Sequence, residues 1–219
     1  MNVIIFGASG MVGQGVLREC LLDPAVTKVL VIGRSPLGVS QAKLQEILRP
    51  DVGDLADAEA ALSGYDACLY CLGVSSSGLT EADYRRLIHD LTLQIAQTLV
   101  RLNPAMTFVF VSGAGTDSTE RGRSMWARVK GETENELRRL PFKAAYMFRP
   151  GIIRPLHGIK SKTKSYRILY ALMGPILPLL KFLLPGLVTT TEQLGRAMIK
   201  VARQGAPKIV LESRDINAI

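Results

Sequence analysis

Cysteine, histidine and aromatic side chains are all scarce in this chain of 219 residues. There are three cysteines, Cys20, Cys68 and Cys71, two histidines, His89 and His157, and 6% aromatics. Three thiols do not make a disulfide framework, so free thiols in a reducing, cytoplasmic setting are the expectation. Two distant histidines without companion ligand spacing leave no metal site to expect, and His89, followed by Asp90, reads as a surface residue. With no RNP-type aromatic pattern and no zinc-finger spacing, a nucleic-acid module is set aside. No Ser/His/Asp arrangement stands out, and no internal repeat or low-complexity linker divides the chain. The opening MNVIIFG runs straight into a glycine turn, which is not how a secretory leader is built.

What is present is a core and a positive charge. Hydrophobic residues make up 47%, enough for one substantial core rather than disorder, and the length suits a single domain over 1–219. The formal net charge of +8 fits an anionic cofactor, an anionic membrane surface or a solvated basic face.

Short apolar runs alternate with segments of helical period. Strands are expected at Val3–Phe6, Lys28–Ile32, near Ile47, and at Ala67–Cys71, Thr107–Val111, Ala144–Phe148 and Lys208–Leu211. Helices are expected at Met11–Leu22, around Ala56–Leu62, and over Glu81–Leu102 with an inward stripe of Tyr84, Leu87, Ile88, Leu91, Ile95 and Leu99. Trp126–Leu140 and a helix capped by Thr190 and Gln193 complete the set. Apolar strands separated by helices predict an α/β fold: a doubly wound parallel sheet, the Rossmann fold, with helices on both faces. Functional residues then belong just after each strand. Cys68 and Cys71 have C-x-x-C spacing, but within a strand they read as core thiols rather than a redox pair.

The first strand ends in Gly7-Ala8-Ser9-Gly10-Met11-Val12-Gly13. Gly7 suits a tight turn, Gly10 admits backbone N–H groups to a pyrophosphate, and Gly13 allows helix and strand to pack closely. The helix N-terminus adds unpaired donors and partial positive charge. Dinucleotide binding through Gly7, Ser9, Gly10, Met11, Val12 and Gly13 follows. The second strand ends in Gly33-Arg34-Ser35, with no acid to accept from a ribose 2′-hydroxyl. Arg34, assisted by Ser35, suits a 2′-phosphate, so NADP(H) is expected ahead of NAD, an exposed surface arginine being the plain alternative. Asp54-Leu55 after the third strand reads either as an adenine neighbour or as a helix cap.

The G-x-x-G-x-x-G turn is followed in order by Cys71-Leu72-Gly73, Ser112-Gly113-Ala114, Val129-Lys130-Gly131-Glu132 and Phe148-Arg149-Pro150-Gly151. Together these resemble the atypical short-chain dehydrogenases/reductases, the group that includes the Tat-interacting-protein-like oxidoreductases. The resemblance covers residues 1 to about 155. It implies that Cys71, Leu72 and Gly73 pass the cofactor ribose and that Lys130 holds the nicotinamide ribose hydroxyls. Pro150, Gly151 and Ile152 border the nicotinamide, and Ser112 orients a substrate oxygen. In active members a tyrosine stands four residues before the lysine; here that position is Trp126. Hydride delivery to a carbonyl leaves an alkoxide that needs a proton, and an indole N–H only donates a hydrogen bond. Three readings stay open: another proton donor serves, the substrate needs none, or the chain binds NADP(H) without turnover and signals to a partner.

Residues 156–190 form an appended region. Ile168–Val188 approaches the length of a membrane span, but Pro175, Pro178, Pro185 and Lys181 interrupt it. A pocket wall for an apolar small-molecule substrate is expected. Peripheral membrane contact through the adjacent basic residues Lys160, Lys162, Lys164 and Arg167, or a homodimer face, are the alternatives.

Overall fold

The computed structural model describes residues 1–159 and 186–219. Seven parallel strands form one sheet in the order β3-β2-β1-β4-β5-β6-β9. They are β1 (Asn2–Phe6), β2 (Lys28–Gly33), β3 (Leu44–Leu48), β4 (Ala67–Tyr70), β5 (Thr107–Val111), β6 (Ala144–Arg149) and β9 (Val210–Glu212). A separate parallel pair, β7 (Ile152–Arg154) and β8 (Val188–Thr190), was not foreseen from the sequence. Both are three residues long, too short to show a period.

Period two along the strands sorts the core into two layers. Val3 and Ile5 face one side with Val29, Val31, Leu69 and Val109. They meet α1 (Met11–Leu22) and α6 (Thr191–Gln204). Ile4 and Phe6 face the other side with Leu30, Ile32, Tyr70, Phe108 and Phe110, under α2 (Glu59–Leu62), α4 (Leu91–Leu102) and α5 (Met125–Leu137). Each of these strand side chains is nearly inaccessible to solvent, and burial of one such aliphatic or aromatic group stabilises by about 1.5–3 kcal/mol. Val3 pairs with Val29 and with Ala67, so β1 lies between β2 and β4. The strand order reverses there, and in open α/β sheets the carboxyl ends of the strands at such a point, here β1 and β4, flank the ligand crevice.

The long helix expected over Glu81–Leu102 is interrupted. It runs as α3 (Glu81–Arg85), a π turn at Arg86–Asp90, and α4. The extra residue in that turn shifts the phase of the apolar stripe. Leu87 is therefore exposed rather than inward, whereas Tyr84, Ile88, Ile95 and Leu99 are buried as expected. His89, expected on the surface, is instead 5% exposed. Thr190 caps α6 by accepting from the Gln193 N–H, as its spacing implied. A short last helix, α7 (Ser213–Ala218), follows β9. Among the described residues no helix is long and apolar enough to cross a membrane. The basic cluster Lys160–Arg167 and most of the apolar stretch Ile168–Val188 lie outside the described residues. Of that stretch Val188 is buried in β8.

Candidate functional site

The residues singled out in the sequence gather along the carboxyl edge of the sheet. At its centre the glycine turn is held by close backbone approach. Gly7 has φ +81°, and a Cβ on it would lie 2.6 Å from the Cys71 carbonyl carbon. A Cβ on Gly13 would lie 2.1 Å from the Gly7 oxygen. These two positions bring the start of α1, the end of β1 and the Cys71-Leu72 segment together. Gly10 caps α1 without a side-chain hydrogen bond, and the first turn of α1 carries no acid. Ser9, Met11 and Val12 are half-buried in the same turn. The N-terminal amides of α1 are therefore suited to an anion. Gly73 is exposed, and among the described residues no neighbouring atom lies within 4 Å of where a Cβ would stand.

To one side, Arg34 and Ser35 are exposed at the end of β2. Among the described residues Arg34 makes no ion pair. Asp54 is exposed and caps nothing: the 3-10 turn Ala56–Ala58 has Leu55 at its N-cap and no side-chain bond there. That removes the capping alternative for Asp54. Leu55 is buried in the core layer of Ile4 and Phe6.

The opposite side is built differently. Trp126, Lys130 and Glu134 are spaced four residues apart on α5 and share one face. A Cβ on Gly131 would lie 1.8 Å from the Asp117 oxygen, so the Lys-Gly-Glu sequence lets α5 press against the loop after β5. Lys130 Nζ donates to the Ser112 carbonyl. Burial pushes the Lys130 ammonium down to about 8, against the opposing pull of Glu134. Ser112 is buried, and its hydroxyl donates to Glu134. Glu134, 1% exposed, also receives Arg149 Nε at 3.0 Å and the Arg149 Nη2. Arg149 Nη2 further donates to Ser118 Oγ.

Sequence reasoning missed this buried pair. The signal was a lone arginine closing an otherwise apolar strand, which demands a buried anion. Pro150 accepts from Ala114 N–H, Gly151 N–H donates to Ser213 Oγ at 2.6 Å, and Ile152 N–H pairs with Leu187. Pro150, Gly151 and Ile152 follow the end of β6 at this edge. Their amides are engaged elsewhere or, at proline, absent.

Trp126 stands beside Gly115 and packs with Tyr84, Ile88 and Val129. Of the four described tyrosines, Tyr65 and Tyr70 lie in the core and Tyr146 accepts from Ala206 N–H. Tyr84 is buried under the Trp126 cluster. All three thiols are free, and burial raises each of them, Cys71 to about 12, which disfavours the reactive thiolate.

No family model matches the chain. Among curated proteins it is 32% identical over 159 residues to "Protein fmp52, mitochondrial" of Emericella nidulans, covering 69% of this chain and 66% of that protein. It is 29% identical over 154 residues to "Protein HTATIP2" of Rattus norvegicus, covering 69% and 62%. The chain thus spans at most about two thirds of the length of these relatives. Among solved structures, the Bordetella bronchiseptica enzyme WbmF in complex with NAD+ superposes with a TM-score of 0.69 at 15% identity, covering 99% of this chain and 76% of that one.

Proposed function

The chain belongs to the atypical short-chain dehydrogenase/reductase family, and from that premise we propose that it binds NADP(H) at the β1–β4 crevice as an oxidoreductase for an apolar small molecule. The observation that carries the cofactor choice is Arg34: exposed, without an ion pair among the described residues, and standing where an NAD-binding chain usually places an acid. A bound nicotinamide dinucleotide supplies or accepts the hydride. The rest falls to this chain. The amides of residues 10–13 and the glycine cradle take the pyrophosphate. Arg34 and Ser35 take the 2′-phosphate, and Asp54-Leu55 lies toward the adenine. Lys130 holds the ribose hydroxyls, and Ser112 with Pro150, Gly151 and Ile152 shapes the nicotinamide end. We include a cytoplasmic location in the proposal, supported by the three free thiols. The competing address is the mitochondrion, named for the fungal relatives, and imaging of a tagged chain separates the two.

Calorimetry tests the binding half. Arg34→Asp is expected to cost NADPH about 1.5–3 kcal/mol, a tenfold loss or more, while leaving NADH nearly unchanged. Equal losses for both sink the NADP assignment.

A second reading has its own support. Trp126 replaces the proton donor, and the Ser112 hydroxyl is already given to Glu134. Both favour a chain that binds NADP(H) and reports the bound state to a partner. Following NADPH absorbance with aldehydes, ketones and quinones decides between them. Turnover supports the oxidoreductase; stoichiometric binding without turnover supports the silent binder. Trp126→Tyr is then expected to restore reductase activity, because a general acid is typically worth about 10²–10⁴-fold.

A further inference from the structure

The π turn carries a second constellation, turned away from the cofactor edge. His89 is buried, and its Nδ1 lies 2.7 Å from Asp90 Oδ1. An ionised carboxylate only accepts, so Nδ1 carries the hydrogen and donates. The other ring nitrogen, Nε2, is fully enclosed and has no hydrogen-bond partner among the described residues. It faces Glu136 Oε1 at 3.3 Å and Glu132 Oε1 at 4.0 Å, close but without hydrogen-bond geometry. The three atoms lie within 4.8 Å of one another. In a neutral imidazole Nε2 offers a lone pair, so three acceptors converge on one small space.

Each part of this arrangement suits a divalent cation. In a tetrahedral site with ligand bonds of about 2.0–2.1 Å, ligand atoms stand roughly 3.3–3.4 Å apart, near the His89–Glu136 separation. Glu132 and Glu136 are one turn apart on α5 and present their carboxylates to the same neighbour. Asp90 behind the imidazole fixes its tautomer, the usual partner of a metal-bound histidine. Arg85 engages the second oxygen of Glu132 and lies 3.7 Å from Asp90. Three carboxylates and one guanidinium leave two uncompensated negative charges, the charge of one divalent ion. The Glu132 and Glu136 side chains are 25% and 37% exposed, which gives an ion a path from solvent and room for a water as remaining ligand.

We propose that His89, Glu132 and Glu136 form a site for a divalent transition-metal ion of the zinc class, oriented by Asp90 and tying the π turn to the helix that carries Trp126 and Lys130. Imidazole nitrogen with carboxylate oxygen suits zinc better than magnesium or calcium, which take oxygen ligands. The expected role is that of a staple, since the site faces away from the Lys130 side of α5.

The test uses the full chain, freed of any affinity tag and stripped with chelator. Cobalt(II) is titrated while its visible absorption is followed, and zinc is titrated by calorimetry. One ion per chain is expected, with intense visible bands of low-coordinate cobalt and a melting temperature raised by zinc. Glu136→Gln, at a half-exposed position that tolerates the change, is expected to weaken binding more than tenfold. Asp90→Asn, which loosens the orientation of His89 and removes one of the three negative charges, is expected to weaken it about 10–100-fold. Two results would overturn the site. One is absence of stoichiometric binding by the wild-type chain up to millimolar metal. The other is binding that neither substitution alters. Either would leave His89 as a buried side chain hydrogen-bonded, among the described residues, to Asp90 alone.

Discussion

The two flanks of the β1–β4 crevice are built on opposite plans. On the β1–β2 side the polar groups are left open: the amides at the start of α1 have no side-chain cap, and Arg34 has no anionic partner among the described residues. On the β5–β6 side nearly every polar group already has a protein partner. Ser112, Lys130, Glu134, Arg149 and Gly151 are joined to one another or to Ser118 and Ser213. An open flank waits for charge from outside. A closed flank is stabilised by its own charges and holds a fixed shape with or without ligand. Changes on the first side should therefore move affinity, and changes on the second should move stability first.

The largest effect belongs to the closed flank. Glu134→Ala leaves the buried Arg149 guanidinium only the half-exposed Glu212, 3.5 Å away, so a loss toward the lower end of about 3–5 kcal/mol is expected in denaturant unfolding. Replacing Glu134 and Arg149 together by apolar residues should cost much less, because the uncompensated charge is gone. If the single and double variants unfold alike, the pair is not what closes this flank. On the open flank, Gly13→Ala drives a methyl into the Gly7 carbonyl, for about 1–3 kcal/mol of stability. It should also abolish nucleotide binding by calorimetry, since the turn must shift. Retained NADPH affinity in a folded Gly13→Ala chain would break the contrast.

A further effect is a slope with pH. Lys130 falls from 10.5 to about 8 in the folded chain because burial disfavours its charge. Between those values the unfolded chain keeps a proton that the folded chain has released. Stability should therefore rise as pH climbs from 8 to 10.5, on top of the background titrations. Lys130→Met should erase that component of the rise. Parallel curves for the two proteins would show that the ammonium is not buried enough to matter.

Legibility in the sequence divided along the same line. The strand at Val3–Phe6, the glycine turn and Arg34 were readable because each is local: a run of apolar residues, a spacing of glycines, a charge at a strand end. Lys130 and Trp126 were readable only through resemblance to a family pattern. Glu134 was passed over because nothing in an amphipathic helix marks one glutamate as buried. Its partner Arg149 stands fifteen positions away on another element. His89 was misplaced for a different reason. A π turn adds a residue to the helical repeat, so counting by 3.6 put Leu87 inside and His89 outside, the reverse of what the fold does.

By itself the sequence determined the parallel sheet, its two-sided core and the tight glycine turn into α1, because hydrophobic period and glycine spacing act over a few residues. Only the tertiary structure decided which charges are buried together. That choice depends on helix phase and on approach between distant segments. Ser112, Glu134 and Arg149 meet because packing forced buried polar groups to find partners once water was excluded, and the same packing set His89 beside Glu136.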